Sequence, residues 1–282
     1  MAADPSARRA DSPFSRLRRA ACVQPWILTY HSVGDARHDP YGITVSPGRL
    51  DRQLAWLRSR RLTGVGVSAL LRADAAARRR LVGLTFDDGY ADFVQEALPL
   101  LRRYECTATV FVLPGRPGGS NEWDPLGPRK PLLTAREIRR VADAGMEIGS
   151  HGLLHRHLTA LADEELHAET HRSRELIHEI TGTAPEGFCY PYGTVDRRVM
   201  DAVRDAGYGY GCALAPAAPL GAFALPRTHV SHADRGVRLR MKELRHAWRY
   251  GGGYGPESGP RARTGPPAGG GVLPAAPTGG HR

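Results

Sequence analysis

The chain has 282 residues, room for one sizeable core and one or two domains. A hydrophobic share of 41 % argues for a globular protein, and no apolar run approaches the ~20 residues of a membrane span. The formal charge of +10 would suit nucleic acid, an anionic membrane surface or an acidic glycan. The arginines are scattered near the ends and on helix surfaces, however, which reads first as a solvated basic surface, with no nucleic-acid partner expected.

The ends differ from the middle. Residues 1–22 are polar and Arg-rich, lack the apolar stretch of a secretory signal, and read as a disordered segment of a cytoplasmic protein. Residues 251–282 are Gly/Pro-rich and can bury almost nothing, so they read as a second disordered segment. Truncation at Gly251 is therefore expected to leave activity and Tm nearly unchanged; a large loss of either would show that the tail docks on the folded part. This leaves 23–250 as one catalytic domain. Cys22, Cys106, Cys189 and Cys212 form no C-x-x-C pair, which excludes a zinc ribbon or a disulfide framework and points to reduced thiols.

Within 23–250, apolar runs alternate with helical patterns. Trp26–Tyr30 is an apolar run ending at His31. Ser46 then Pro47 opens a helix to about Arg60, with Ser as N-cap and Pro at the first helical position. Leu81–Phe86 reads as a buried strand ending in Asp87-Asp88-Gly89. A helix with Phe93, Ala97, Leu98 and Leu101 on one face follows, then a strand over Thr107–Leu113. Thr134 with Glu137 three residues on is a capping-box pattern, and Gly145 ends that helix. Met146–Gly149 reads as a strand and 163–180 as one long helix. Phe188–Tyr190 is a strand, Val195–Ala206 a helix, and Tyr208–Ala213 and Leu225–Val230 are strands. Alternating βα units of this kind build a parallel sheet, open or closed into a barrel.

In such folds functional groups gather where strands end. The polar residues found there are His31, Asp87 and Asp88, His151, Tyr192 and His229. Adjacent carboxylates repel one another, so Asp87-Asp88 suits a cation site or a protonated member; an exposed Asp-Gly turn explains the same residues about equally well. His151 and His155, with three residues between them, can converge on one metal from a helical turn or a tight loop, or serve as cap and surface residues. The Pro191-Tyr192-Gly193 turn can aim a backbone N–H at a substrate oxygen, or be an ordinary turn.

In this order the three pieces resemble the polysaccharide deacetylases (NodB homology, carbohydrate esterase family 4). Their signatures are T-F-D-D-G, H-[ST]-x-x-H and R-x-P-Y. The chain reads TFDDGY at 85–90, EIGSHGLLH at 147–155 and FCYPYG at 188–193. The resemblance spans about Ile27 to Val230 and implies a distorted (β/α) barrel with fewer than eight regular units. It also implies one divalent metal, Zn²⁺ the expected identity, held by Asp88, His151 and His155. Asp87 would be general base and the Tyr192 backbone N–H part of an oxyanion hole. The implied partner is an N-acetylated amino-sugar, polymeric, oligomeric or a glycosylated precursor. The alternatives are a hydrolase of the same fold acting on a non-sugar amide or ureide, and a catalytically weak binding protein. Oligomeric state is not legible.

Two departures stand out besides Gly152, which replaces the Ser or Thr between the histidines. Cys189 occupies the place of the motif arginine that pairs with the catalytic carboxylate; Arg227 is the candidate to supply that charge, or else forms a rim salt bridge. The general acid has no clear motif, leaving His31, His229 and His232 as candidates.

Overall fold

The computed structural model describes residues 24–214 and 221–250, so the segments expected to be disordered, 1–22 and 251–282, lie outside the described residues. The apolar runs pair in parallel. β1 (Ile27–Tyr30) is followed by a small separate pair, β2 (Ser32–Val33) with β3 (Thr44–Val45). β4 (Thr63–Val65) then adds to β5 (Leu81–Phe86), which also pairs with β1. From β5 the sheet steps through β6 (Thr109–Val112), β7 (Glu147–Ser150), β8 (Gly187–Cys189) and β9 (Tyr210–Ala213) to β10 (Leu225–Pro226). β11 (Thr228–His229) pairs with β1 at the opposite edge.

The expected single strand over 225–230 is thus two strands, and the division closes the fold. β10 and β11 are separated by one residue, Arg227, yet lie on the two edges of the sheet. The sheet is therefore nearly closed into a distorted (β/α) barrel. Fewer than eight units go round it, because the last segment serves both edges.

Helices cover the outside. α1 (Pro47–Ser59) starts as its sequence predicts, Ser46 Oγ accepting the Arg49 N–H ahead of Pro47. The short α2 (Val67–Arg72) and α3 (Ala75–Arg78) have no counterpart in the sequence reading. α4 (Leu98–Arg103) continues from a π turn at Phe93–Ala97. α5 (Ala135–Asp143) carries both hydrogen bonds of the Thr134/Glu137 capping box. The helix expected over 163–180 is α6 (Asp163–His167), a π turn at Ala168–Arg172, and α7 (Ser173–Thr181). α8 (Arg197–Asp205) is capped by Asp196, and α9 (Gly236–Tyr250) is a further helix that the sequence reading did not assign. The largest apolar cluster lies between sheet and helices, where Leu28, Leu84, Phe86 and Val110 meet Leu50, Leu54 and Leu57 of α1 and Leu239 of α9. None of the described helices is long and apolar enough to cross a membrane.

Candidate active site

Side chains alternate along a strand, so the row Gly83, Thr85, Asp87 on β5 lies on the opposite face from Leu84 and Phe86. Leu84 and Phe86 belong to the outer apolar cluster, and Thr85 Oγ1 is within 3.0 Å of the inward-turned Arg227 guanidinium. Asp87, just past the strand, inherits the inner row. Asp88 takes a left-handed backbone, φ 69°, and Gly89 repeats it at 68°. The Asp-Gly turn and the acidic pair are one feature: the turn sends the two carboxylates to different surroundings.

Asp88 is buried, with Oδ1 3.2 Å from His151 Nε2 and 3.4 Å from His155 Nε2. Neither ring nitrogen is aligned as a hydrogen-bond donor, and Oδ1 has no hydrogen-bond partner. The His151 ring is fixed by its other nitrogen, Nδ1, which lies 2.8 Å from the Cys189 carbonyl. A carbonyl can only accept, so Nδ1 carries a proton, which leaves Nε2 as the ring atom available to bind an ion. Burial would push the Asp88 carboxyl up, but the two imidazoles hold it well below the usual carboxylate range, so it is ionised. A buried anionic oxygen without a hydrogen-bond partner, facing two imidazole nitrogens, has the chemistry of a cation site. One donor atom from each of the three residues falls within 4.8 Å of the others. Tetrahedral Zn²⁺ with bonds of about 2.0–2.2 Å needs donors about 3.3–3.6 Å apart, which the two Asp88–His separations approach. The residues present fit a divalent ion.

Asp87 makes a different set of contacts. Arg227 reaches it with both arms of its guanidinium, Nη1 to Oδ1 at 2.6 Å and Nη2 to Oδ2 at 2.8 Å, and both residues are buried. Burial would raise the Asp87 carboxyl, but the arginine outweighs it and keeps the group below the usual range. Nη2 also lies 3.0 Å from Cys189 Sγ. Arg227→Lys keeps the charge but cannot span both oxygens. Losing one charge-assisted bond is expected to cost about 1.5–3 kcal/mol of stability, to be read from urea denaturation midpoints. An unchanged midpoint would mean that the fork contributes nothing.

The stretch that holds these residues is similar to known proteins. The profile of a family described as "Polysaccharide deacetylase" matches residues 74–211, a span that contains Asp87, Asp88, His151, His155 and Tyr192. That segment belongs to the polysaccharide deacetylase family. YxkH of Bacillus subtilis strain 168, a protein assigned to the polysaccharide deacetylases, is 28 % identical over 211 residues, 73 % of this chain and 71 % of that one. A peptidoglycan-N-acetylglucosamine deacetylase, PgdA of Listeria monocytogenes, is 30 % identical over 129 residues, covering 45 % of this chain and 25 % of its own length. Among solved structures, the Streptococcus pyogenes deacetylase PplD, in complex with acetate, shares the fold with a TM-score of 0.64 at 21 % identity, over 78 % of this chain and 97 % of that chain.

The deacetylase motifs also show what the sequence reading missed. Gly152 sits at φ 80°, and a Cβ there would come within 2.7 Å of Glu169 Oε2. That carboxylate accepts the Leu153 N–H at 2.6 Å and the Leu154 N–H at 3.1 Å, holding the loop between the two histidines. Glu169 lies in the π turn between α6 and α7 and is buried; π turns inside helices often mark functional positions. Nothing local distinguishes it from the other acids of that helix. Trp123 stacks on His155 with centroids 4.4 Å apart, and Tyr192 meets the same imidazole edge-on at 4.6 Å. The Tyr192 ring is also stacked on His157 at 3.7 Å. His155 (φ 65°) and Tyr192 (φ 59°) join Asp88 in the left-handed region. Such a backbone costs about 1–3 kcal/mol at each non-glycine residue, so the surrounding packing must hold it.

Of the proton-donor candidates, His31 places Nε2 3.8 Å from Asp87 Oδ2. His229 lies behind it, with ring centroids 6.1 Å apart, and its buried Nε2 has no hydrogen-bond partner. Burial, together with neighbouring His31 and Lys242, pushes His229 down to about 4, so it is neutral at pH 7. His232 is turned to other work, its Nδ1 accepting the Ser46 N–H at the start of α1.

Proposed function

We propose that the domain expected over 23–250 is a metal-dependent N-deacetylase acting on an amino-sugar-containing substrate, with Zn²⁺ the favoured ion. The observation that carries this reading is the buried Asp88 oxygen facing two imidazole nitrogens at spacings suited to tetrahedral coordination, next to a second carboxylate with a separate partner. Two unlike carboxylates side by side are what a hydrolase needs when one must bind and the other must move a proton.

Asp88, His151 and His155 would hold the ion. When bound, a divalent metal supplies Lewis acidity towards a carbonyl oxygen and acidifies water. Asp87 takes the proton from the attacking water. Arg227 aims that carboxylate and keeps it ionised, in the role that the family gives to the arginine whose place Cys189 takes. The backbone N–H of Tyr192 donates to the oxyanion, where losing one good donor costs roughly 3–4 kcal/mol. His31, the candidate nearer Asp87, returns a proton to the departing amine; a neutral His229 is poorly suited to that step.

The N-acetylated sugar substrate rests on the family and on the name carried by the Listeria relative. The purified chain should release acetate from N-acetylglucosamine oligomers, lose that activity in chelator and regain it when Zn²⁺ is restored. Acetate release that persists in chelator would sink the metal assignment. Turnover of ureides with no acetate release would favour the non-sugar hydrolase, and no hydrolysis of either would favour a binding protein.

A further inference from the structure

α9 has two apolar sides. Its inner side carries Leu239, buried in the main core, and His246, buried with Nε2 donating to the Gln24 carbonyl. On the same helix Val237, Met241, Leu244 and Trp248 are 78 %, 65 %, 52 % and 86 % exposed. The spacing 4, 3, 4 is that of one helical stripe, and at about 100° per residue the four fall within about 60° of one another, opposite Leu239 and His246. A packed helix has reason to be apolar towards the core and none to be apolar towards water. A contiguous exposed stripe that includes a tryptophan marks a contact surface.

The charges around the stripe say what it contacts. Arg238, Arg245 and Arg249 follow one flank and Arg240 the other, and the single acid of α9, Glu243, is already paired with Arg240 at 2.7 Å. Lys242 is turned inwards to the His229 carbonyl and the Asp234 carboxylate. Arg238, Arg245 and Arg249 have no acidic partner among the described residues. Two copies of α9 meeting stripe to stripe would bring arginine rows together with one acid per copy to offset them, which disfavours self-association. An apolar ridge with Trp, flanked by arginines, is instead complementary to a lipid interface with anionic headgroups: the ridge enters the acyl boundary and the guanidinium groups meet phosphates.

We propose that α9 is an interfacial helix that seats the protein on an anionic membrane surface, without crossing it. Lys242 ties α9 to the strand carrying His229, so the helix is fixed to the body of the fold and not a loose appendage. The inference does not depend on the assigned chemistry, and its test does not use activity.

The full chain is mixed with vesicles of phosphatidylcholine alone and of phosphatidylcholine with phosphatidylglycerol, and binding is read by co-sedimentation and by the tryptophan emission shift. Binding to the anionic vesicles is expected to be at least about tenfold tighter than to the neutral ones and to weaken with salt. Trp248→Asp should lose at least about tenfold in affinity. Arg238→Glu with Arg245→Glu should do the same, while melting stays unchanged because these side chains are exposed. Met241→Ser with Trp248→Ser is the milder pair should an aspartate unsettle the helix. Absence of binding to anionic vesicles, or equal binding by the stripe variants, overturns the proposal. So does a dimer in solution that Trp248→Asp converts to monomer, which makes a second copy the occupant. Vesicle binding that appears only after truncation at Gly251 overturns it too, since the tail would then cover the stripe.

Discussion

Asp88→Asn is expected to leave a folded protein that holds its metal poorly. The substitution keeps the shape of the side chain but removes the negative charge that faces His151 and His155. Removing even an outer partner of a metal ligand commonly costs 10–100-fold in affinity, so loss of an anionic ligand should cost at least about that. Metal per chain after gel filtration should fall well below one, and acetate release should be partly restored by excess Zn²⁺. The fold should tolerate the change, because Asn keeps the size and shape of the side chain at this buried position. Metal analysis and activity against added Zn²⁺ are the measurements. A variant that retains stoichiometric metal would place the ion elsewhere.

The elements that position this site were legible because their signals are local. Strand β5 announces itself as an unbroken apolar run, and the acidic pair follows directly on it. The capping boundaries at Ser46 and Thr134 lie where the side chains that make them sit in the sequence. The two histidines were legible as a pair, although spacing alone left open whether a helix or a loop would present them; they stand in the loop after β7.

What escaped depends on contacts distant in sequence. Leu225–Val230 reads as one strand, and only the closure of the sheet shows that Arg227 separates two of them and turns inwards to Asp87, 140 residues away along the chain. Cys189 and Arg227 could be suspected of exchanging the motif's charge, but no local pattern brings them within 3.0 Å. Glu169 is spaced like the surface acids around it; the π turn that rotates it inwards is set by what it meets there, two backbone N–H groups of the histidine loop. α9 is a different case. Its stripe is periodic, but a basic helix with an outward apolar side gives a pattern search no single apolar face leading to the core.

Asp87→Asn is expected to cut turnover by roughly 10²–10⁴, the contribution of a positioned general base, with metal content unchanged at one per chain. The amide cannot accept the water's proton, and the three proposed ligands, Asp88, His151 and His155, are untouched. A second effect follows from the pairing with Arg227. Both partners are buried, so neutralising one leaves a guanidinium without its counter-charge, and breaking a buried pair in this way costs about 3–5 kcal/mol. The same coupling sets a pH dependence. The folded Asp87 carboxyl lies below its ordinary value of 3.8, so its stabilising contribution is present above that value and is lost as the pH falls through the depressed one. Asp87→Asn should remove that part of the acid sensitivity while lowering Tm at neutral pH. Kinetics must therefore be taken well below the variant's melting transition, with metal content measured on the same sample. A slow, metal-replete, folded Asp87→Asn beside a metal-poor, rescuable Asp88→Asn separates proton transfer from metal binding. Equal metal loss in the two variants would show that both carboxylates share the ion, and Arg227 would then orient a ligand and not a base.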